Sequence, residues 1–364
     1  MDTKDHGLKG LFDDQFDEAP APLTPPRAVA PAAPPKEIAA GDIVLTFVML
    51  VGEDFHHATA TIQAISEQTI CRSSELIVIG PDPEAGRALL SGVNSLGHTR
   101  FIHLEEPGQE PATITAAFQA AKAPLIAFLD WYARPARDFA ETVLKTDEDT
   151  KFDIMIPRLA NANPNSGASW AALLPQLVAL NNTGTGPVDI VPSRTAVFRK
   201  SALETFGSDL DSHVSNWRIS DSVKSNGGLI YYQEDAEVAL LSPSTLKGMR
   251  RERFLQGRLA ATRLVTTHQL SKFTRWRRGI GHLLVPYRRY LREKLVLAGG
   301  ADGLNSRNKH GLVMLQGYVA ESWGSAAGYL FGEGNAQQLQ HVIGRERPAT
   351  LREEERRRFF PDSP

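Results

Sequence analysis

Residues 111–130 read PATITAAFQAAKAPLIAFLD, and this stretch decides the fold. Pro111 suits the first turn of a helix, where no backbone donor is needed. The spacing predicts that helix over 111–123. PLIAFLD (124–130) is a continuous apolar run, the pattern of a strand covered on both faces, and it ends on a carboxylate, Asp130. Upstream, IVLTFVML (43–50) and ELIVIG (75–80) have the same character, and FIHL (101–104) reads as a further strand. Between the first two, Phe55, Ala58, Ile62 and Ile65 fall on one helical face, with Asp54 placed to cap it. Gly80-Pro81-Asp82-Pro83 reads as a turn cluster. Alternating strands and helices predict an α/β fold with a doubly wound, mainly parallel sheet. In such sheets ligands bind beyond the carboxyl ends of the strands. Asp82 and Asp130 both lie at strand ends, so the chemistry points to one edge.

Downstream, DIMIPRLA (153–160), GPVDIVPSRTAVFRK (186–200) and LIYYQEDAEVALL (229–241) contain strand-like pieces. SALETFG (201–207) and SNWRISDSVKSNGG (215–228) read as helices ended by glycine. From 245 to about 296 the pattern is helical and basic, and a further helix is expected over 310–331. Four parts follow: a disordered Pro/Ala-rich tail (1–41), a sheet domain (42–244), a basic helical appendage (245–340) and a charged, frayed tail (341–364).

The chain has 364 residues, 42% hydrophobic and 23% charged, enough for a core of ordinary size. Its formal net charge of −2 does not suit a polyanion binder as a whole. One cysteine, Cys71, excludes an internal disulfide and a zinc site built of cysteines. The ten histidines form no metal set, and the adjacent His56 and His57 read as a solvated pair. The first residues lack the apolar core of a secretory signal, and no run of ~18 apolar residues predicts a membrane span.

The order of four motifs resembles the GT-A domain of family 2 glycosyltransferases. ISEQT (65–69) followed by ELIVIG is similar to the family's Ser-Leu-x-x-Gln-Thr and Glu-Ile-Ile-Val-Val-Asp. AAFQAAKAPLIAFLD (116–130) is similar to its Asn-x-Gly-x-x-x-Ala-x-Gly-x-x-Ile-Ala-Phe-Leu-Asp. DWYARP (130–135) stands where the family has Asp-x-Asp and then Pro, and VFRKSALETFG (197–207) resembles the segment before its acceptor-side helix. RRERFLQGR (250–258) and ESWGSAAGYLFGEG (321–334) resemble the appendage of many bacterial members.

The resemblance implies a donor site for a nucleotide sugar. Asp130 matches the first acid of Asp-x-Asp and would hold the diphosphate or a divalent cation, Mg²⁺ or Mn²⁺. The second acid falls on Tyr132, a poor ligand for such a cation, which would bind the donor by stacking or hydrogen bonding or else serve as a buried structural tyrosine. The family's Glu-Asp-Trp falls on Ser215-Asn216-Trp217, which keeps an acceptor-side Trp217 and loses both acids. Asp211 and Asp221 are the nearest carboxylates and the candidates for catalytic base. Asp82 stands beside the positions that read base and ribose, with turn formation as its rival role. Where the family's helix carries Arg-Asn, this chain has Ile114-Thr115. Arg134, Arg194 and Arg199 could meet the diphosphate without a metal, Arg199 also lying on the acceptor side.

Between Lys247 and Lys294 stand fourteen basic and two acidic residues, an excess of +12, with Phe273, Trp276, Tyr287 and Tyr290 interleaved. Such helices suit an anionic membrane surface; nucleic acid is disfavoured, because no recognised binding module accompanies the charge. The apolar stripe of the 310–331 helix fits core packing or a homodimer. The expectation is a cytoplasmic enzyme, peripheral on the inner membrane face. It would move a sugar from a nucleotide donor to a saccharide or lipid-linked acceptor in cell-surface polysaccharide synthesis. The alternative is a catalytically silent binding module with the same fold.

Overall fold

The apolar runs at 43–50, 75–80 and 124–130 lie side by side. The computed structural model describes residues 42–51, 55–104, 110–178, 184–189, 195–210, 219–283, 286, 301–336, 339 and 347–360. In it β1 (Leu45–Leu50) pairs in parallel with β2 (Ser74–Gly80) on one side and β4 (Leu125–Asp130) on the other. β3 (His98–His103) pairs in parallel with β2. Every residue of β2 is buried, as expected of a strand covered on both faces.

Beyond β4 come β8 (Ala196–Arg199), β6 (Ile154–Asn161), β9 (Ile230–Leu240) and β5 (Ala133–Pro135), while β7 (Gly186–Pro187) pairs with β9. Among the described residues this makes one nine-stranded sheet of order β3-β2-β1-β4-β8-β6-β9-β5. Strands β1 to β4, β6 and β9 share one direction; β5, β7 and β8 oppose it.

Alternate residues supply two cores. Leu45, Phe47, Met49, Leu76, Val78, Ala127 and Leu129 face α1 (Thr59–Ser66) and α4 (Phe139–Thr150). Val48, Ile77, Ile79, Ile126 and Phe128 face α3 (Glu110–Ala120) and, beyond β8, α7 (Ile219–Ser225). The face read from sequence, Phe55, Ala58, Ile62 and Ile65, is buried.

The sequence reading missed α2 (Pro83–Ser91), which starts within the supposed turn cluster. Asp82 accepts from the amides of Glu84 (2.8 Å) and Ala85 (3.1 Å), and Pro83 opens the helix. α4 and α5 (Gly167–Val178) were also unread, and α6 (Lys200–Glu204) is shorter than expected.

The appendage consists of α8 (Leu246–Thr267), α9 (Lys272–Leu283) and α10 (Ala301–Phe331). It is joined to the domain by a shared core: Ala168, Ala171 and Leu174 of α5 pack with Met249, Met314 and Tyr318. α8 and α10 approach so closely that a Cβ on Gly324 would overlap the carbonyl of Phe254. Buried Arg253 of α8 pairs with Glu321 of α10.

The charged tail corrects the expectation of fraying. Residues 347–360, including α11 (Glu353–Phe359), dock on the sheet domain, with Leu351, Phe359 and Phe360 buried in the core that faces α1. Three apolar anchors outweigh the solvated charges between them. The expected tail at 1–41, the Asp54 cap, the side chains of His56 and His57, and the basic residues at 287–300 lie outside the described residues.

Candidate active site

β4 ends at Asp130, level with Leu50 of β1, and at the same edge β6 and β9 end at Asn161 and Leu240. The chain then turns through 131–137, and side chains of the ISEQT helix hold that turn. The Thr61 hydroxyl donates to the Trp131 carbonyl. Buried Gln68 donates to the carbonyls of Ala64 (2.9 Å) and Ala136 (2.8 Å) and accepts from the Ala140 amide (2.9 Å). The Thr69 amide reaches the Arg137 carbonyl at 3.1 Å, and the Leu241 amide reaches the Tyr132 carbonyl at 3.2 Å. Four donors and one acceptor thus fix the backbone that carries Asp130, Tyr132 and Arg134.

The side chains of this turn meet the docked tail. Trp131 packs against Phe360 with ring centroids 6.0 Å apart. The Arg134 guanidinium lies 4.8 Å from the Phe359 ring centre. That of Arg347 lies 4.3 Å from the Tyr132 ring centre. Arg347 also donates from Nη1 to Oε2 of Glu252 in α8, at 2.6 Å. Burial pushes the Tyr132 phenol above its ordinary value, the nearby Asp130 carboxylate adds to this, and Arg347 only partly offsets them. Tyr132 is therefore a neutral phenol at neutral pH. Burial opposes the charge of Arg347, but Glu252 and Tyr132 more than restore it. Burial, then the neighbouring Arg358, lowers the pKa of Arg134.

A second network ties the tail to the strand ends. Asn163 and Ser242 bond reciprocally, the Asn163 amide at 2.8 Å to the Ser242 carbonyl and the Ser242 amide at 3.1 Å to Asn163 Oδ1. Asn163 also donates to Glu355 of α11 at 3.2 Å. The Thr350 carbonyl accepts from the amides of Ser244 (3.1 Å) and Thr245 (3.0 Å). Thr245 in turn caps α8 through the Gly248 amide.

The structure gathers Asp130, Tyr132 and Arg134 at one edge. Asp82 lies on the same edge two strands away, about 10 Å at ordinary strand spacing, with Oδ1 used as the cap of α2. Arg199 is separated from this edge. β8 runs antiparallel to β4, so Arg199 faces Leu125 at the opposite end of the sheet. There it pairs with Asp147 and donates to the Phe152 carbonyl at 2.9 Å. Asp221 is exposed and pairs with Arg263. Arg263 stands eleven residues beyond Glu252 on α8, a rise of about 16 Å, so Asp221 does not join the Asp130 group. Ile114 is buried in the core facing α3. Asp211, Trp217 and Arg194 lie outside the described residues. Sequence reasoning missed Arg347, Glu252 and Gln68.

The described residues at this edge do not offer the ligand set of a tightly held divalent cation. The turn offers one carboxylate, Asp130, and Tyr132 keeps its proton. Among the described residues no group of three or more His, Cys, Asp or Glu side chains could hold a metal.

No family model and no curated protein sequence matches the chain. Solved structures do. The mannosyltransferase PcManGT from Pyrobaculum calidifontis, in complex with GDP-Man and Mn²⁺, aligns over 82% of this chain and 91% of its own, at 16% identity and a TM-score of 0.50. The 1–349 fragment of S. aureus TarS aligns over 61% of this chain and 65% of its own, at 14% identity and a TM-score of 0.42. This chain thus spans just under two thirds of that fragment, and 54% of the longer TarS structure. At such identities the likeness is one of fold: a mixed α/β, mostly parallel sheet of the GT-A-like glycosyltransferase type.

Proposed function

We propose that the chain is a glycosyltransferase that takes a sugar from a nucleoside-diphosphate donor. The observation that carries this reading is Asp130, presented at the carboxyl edge of a parallel sheet on a turn anchored by Gln68. A carboxylate there can accept hydrogen bonds from donor hydroxyls while the diphosphate lies along the edge toward Asp82. In the reaction the bond from sugar C1 to the diphosphate oxygen breaks. The acceptor oxygen bonds C1, and its proton passes to a base. Asp211 is the carboxylate carried from the sequence for that last role, since the pairing of Asp221 with Arg263 sets it apart from the Asp130 group. Asp211→Asn should slow transfer without weakening donor binding.

The proposed acceptor is a saccharide or lipid-linked intermediate of cell-surface polysaccharide, met at the cytoplasmic face of a membrane. No described helix is long and apolar enough to cross a membrane. Among the described residues, every exposed large apolar side chain lies on α8, α9 or α10. On α9, Phe273 (72% exposed) and Trp276 (56%) share a face with Ile280 and Leu283, and Lys272, Arg277 and Arg278 flank it. This arrangement suits an interfacial helix on anionic lipid. The chain should float with vesicles containing phosphatidylglycerol and not with phosphatidylcholine alone, and Trp276→Ser should weaken flotation. Equal flotation with both lipids would remove the electrostatic part of the proposal.

The direct test of the enzyme is release of UDP or GDP from a panel of nucleotide sugars and acceptors. Asp130→Ala, with its melting temperature retained, should abolish release. Donor binding without release across the panel would favour the second reading, a silent binding module. The single carboxylate of the turn is the observation behind that reading.

A further inference from the structure

Arg347 is 3% exposed, and its Nε is a buried donor without a hydrogen-bond partner. Native proteins rarely leave such a group unmet, because a buried N–H without an acceptor is destabilising. A guanidinium has five donors in a rigid fork. Arg347 gives Nη1 to Glu252, and it stacks over the ring of Tyr132. These two partners fix the plane of the fork and leave Nε unmet.

The place of this group in the fold matters as much as its burial. Tyr132 stands two residues beyond Asp130, and its carbonyl is held by the Leu241 amide at the end of β9. A remote segment therefore brings a permanent cation to the turn that carries Asp130. Arg253 also has an unpartnered Nε, but its guanidinium is held between α8 and α10 by Glu321 and Tyr318.

We propose that the Arg347 guanidinium binds the diphosphate of the donor in place of a divalent cation, so that nucleotide binding by this chain needs no metal. This rests on the donor-site reading above and deepens it. Arginine suits the task, since its planar fork matches the oxygens of a phosphate and its charge survives burial. Glu252 acts as the resting counter-ion and positions the fork. A bound diphosphate competes with Glu252 for the same cation.

The test is isothermal titration of the full chain with UDP and with GDP, once in Mn²⁺ and once in EDTA. Wild-type protein should bind one nucleotide equally in both buffers. Arg347→Met should weaken that binding about tenfold or more. Glu252→Gln keeps Arg347, retains an acceptor for it and removes the competing charge, so it should bind as tightly as wild type or more tightly. Binding that EDTA abolishes would overturn the proposal, as would R347M binding within about twofold of wild type. If R347M fails to fold, the EDTA comparison on wild type and the direction of the E252Q change still decide, and weaker binding by E252Q counts against it. Absence of binding by wild type to either nucleotide in either buffer is a separate outcome, which removes the donor site itself.

Discussion

Replacing Gln68 with alanine tests whether the turn carrying Asp130 is held from below. The side chain is 2% exposed and makes three hydrogen bonds of 2.8 to 2.9 Å, to Ala64, Ala136 and Ala140. The carbonyl of Ala136 and the amide of Ala140 lose their side-chain partner, since alanine offers neither donor nor acceptor. At roughly 1 kcal/mol net per bond the loss is about 3 kcal/mol. For a chain of this size that lowers the melting temperature by about 6 °C, at roughly 2 °C per kcal/mol. Gln63→Ala is the control, because its exposed amide bonds only Glu67 one turn along the same helix, an interaction of about 0.5 kcal/mol or less. Calorimetric melting of both variants, with titration of UDP and GDP, reads stability and site geometry together. Q68A should lose more stability than Q63A and should also bind nucleotide more weakly. If Q68A melts within about 2 °C of wild type, or binds nucleotide unchanged, Gln68 does not anchor the site.

Gly324→Ala should destabilise the appendage by about 2 kcal/mol or more, although alanine is the better helix former by about 1 kcal/mol, because the added methyl meets the Phe254 carbonyl. A melting temperature equal to or above wild type would show that α8 and α10 can separate freely. Tyr132 supplies a pH signature. Its folded-state pKa is raised by burial above the ordinary value of 10.0, so its contribution is intact below pH 10 and declines as the unfolded chain ionises first. Urea unfolding from about pH 9 to 11 should show stability falling more steeply in wild type than in Tyr132→Phe, by up to ~1.4 kcal/mol per pH unit. Parallel pH profiles would show that the phenol is not enclosed.

The strands were legible because both sides of the sheet are covered, which leaves unbroken apolar runs such as 76–80 with no alternation to mislead. α2 was hidden because Pro83, read as a breaker, is a first-turn residue once Asp82 is seen as its cap. The place of Arg199 could not be read from sequence. Its motif follows the expected order, but strand direction decides the end of the sheet at which a residue lies, and β8 runs backward. Gln68 stood inside a motif noted for resemblance, yet its partners are carbonyls and an amide, which carry no side-chain signal. Arg347 was the least visible. REEERRR (352–358) dominates its surroundings in sequence, and only contacts across long chain separations show that Leu351, Phe359 and Phe360 anchor that segment.

The docking of residues 347–360 bears on how this protein is made. Asn163 and its partner Glu355 stand 192 positions apart, and Tyr132 waits longer still for Arg347 during synthesis. A nascent chain can pair its central strands early on the ribosome, but the carboxyl edge stays unfinished until residue 360 has left the exit tunnel. Nucleotide affinity should therefore arrive only after this segment has emerged, and a translation product stopped at residue 346 would carry the sheet without the lock.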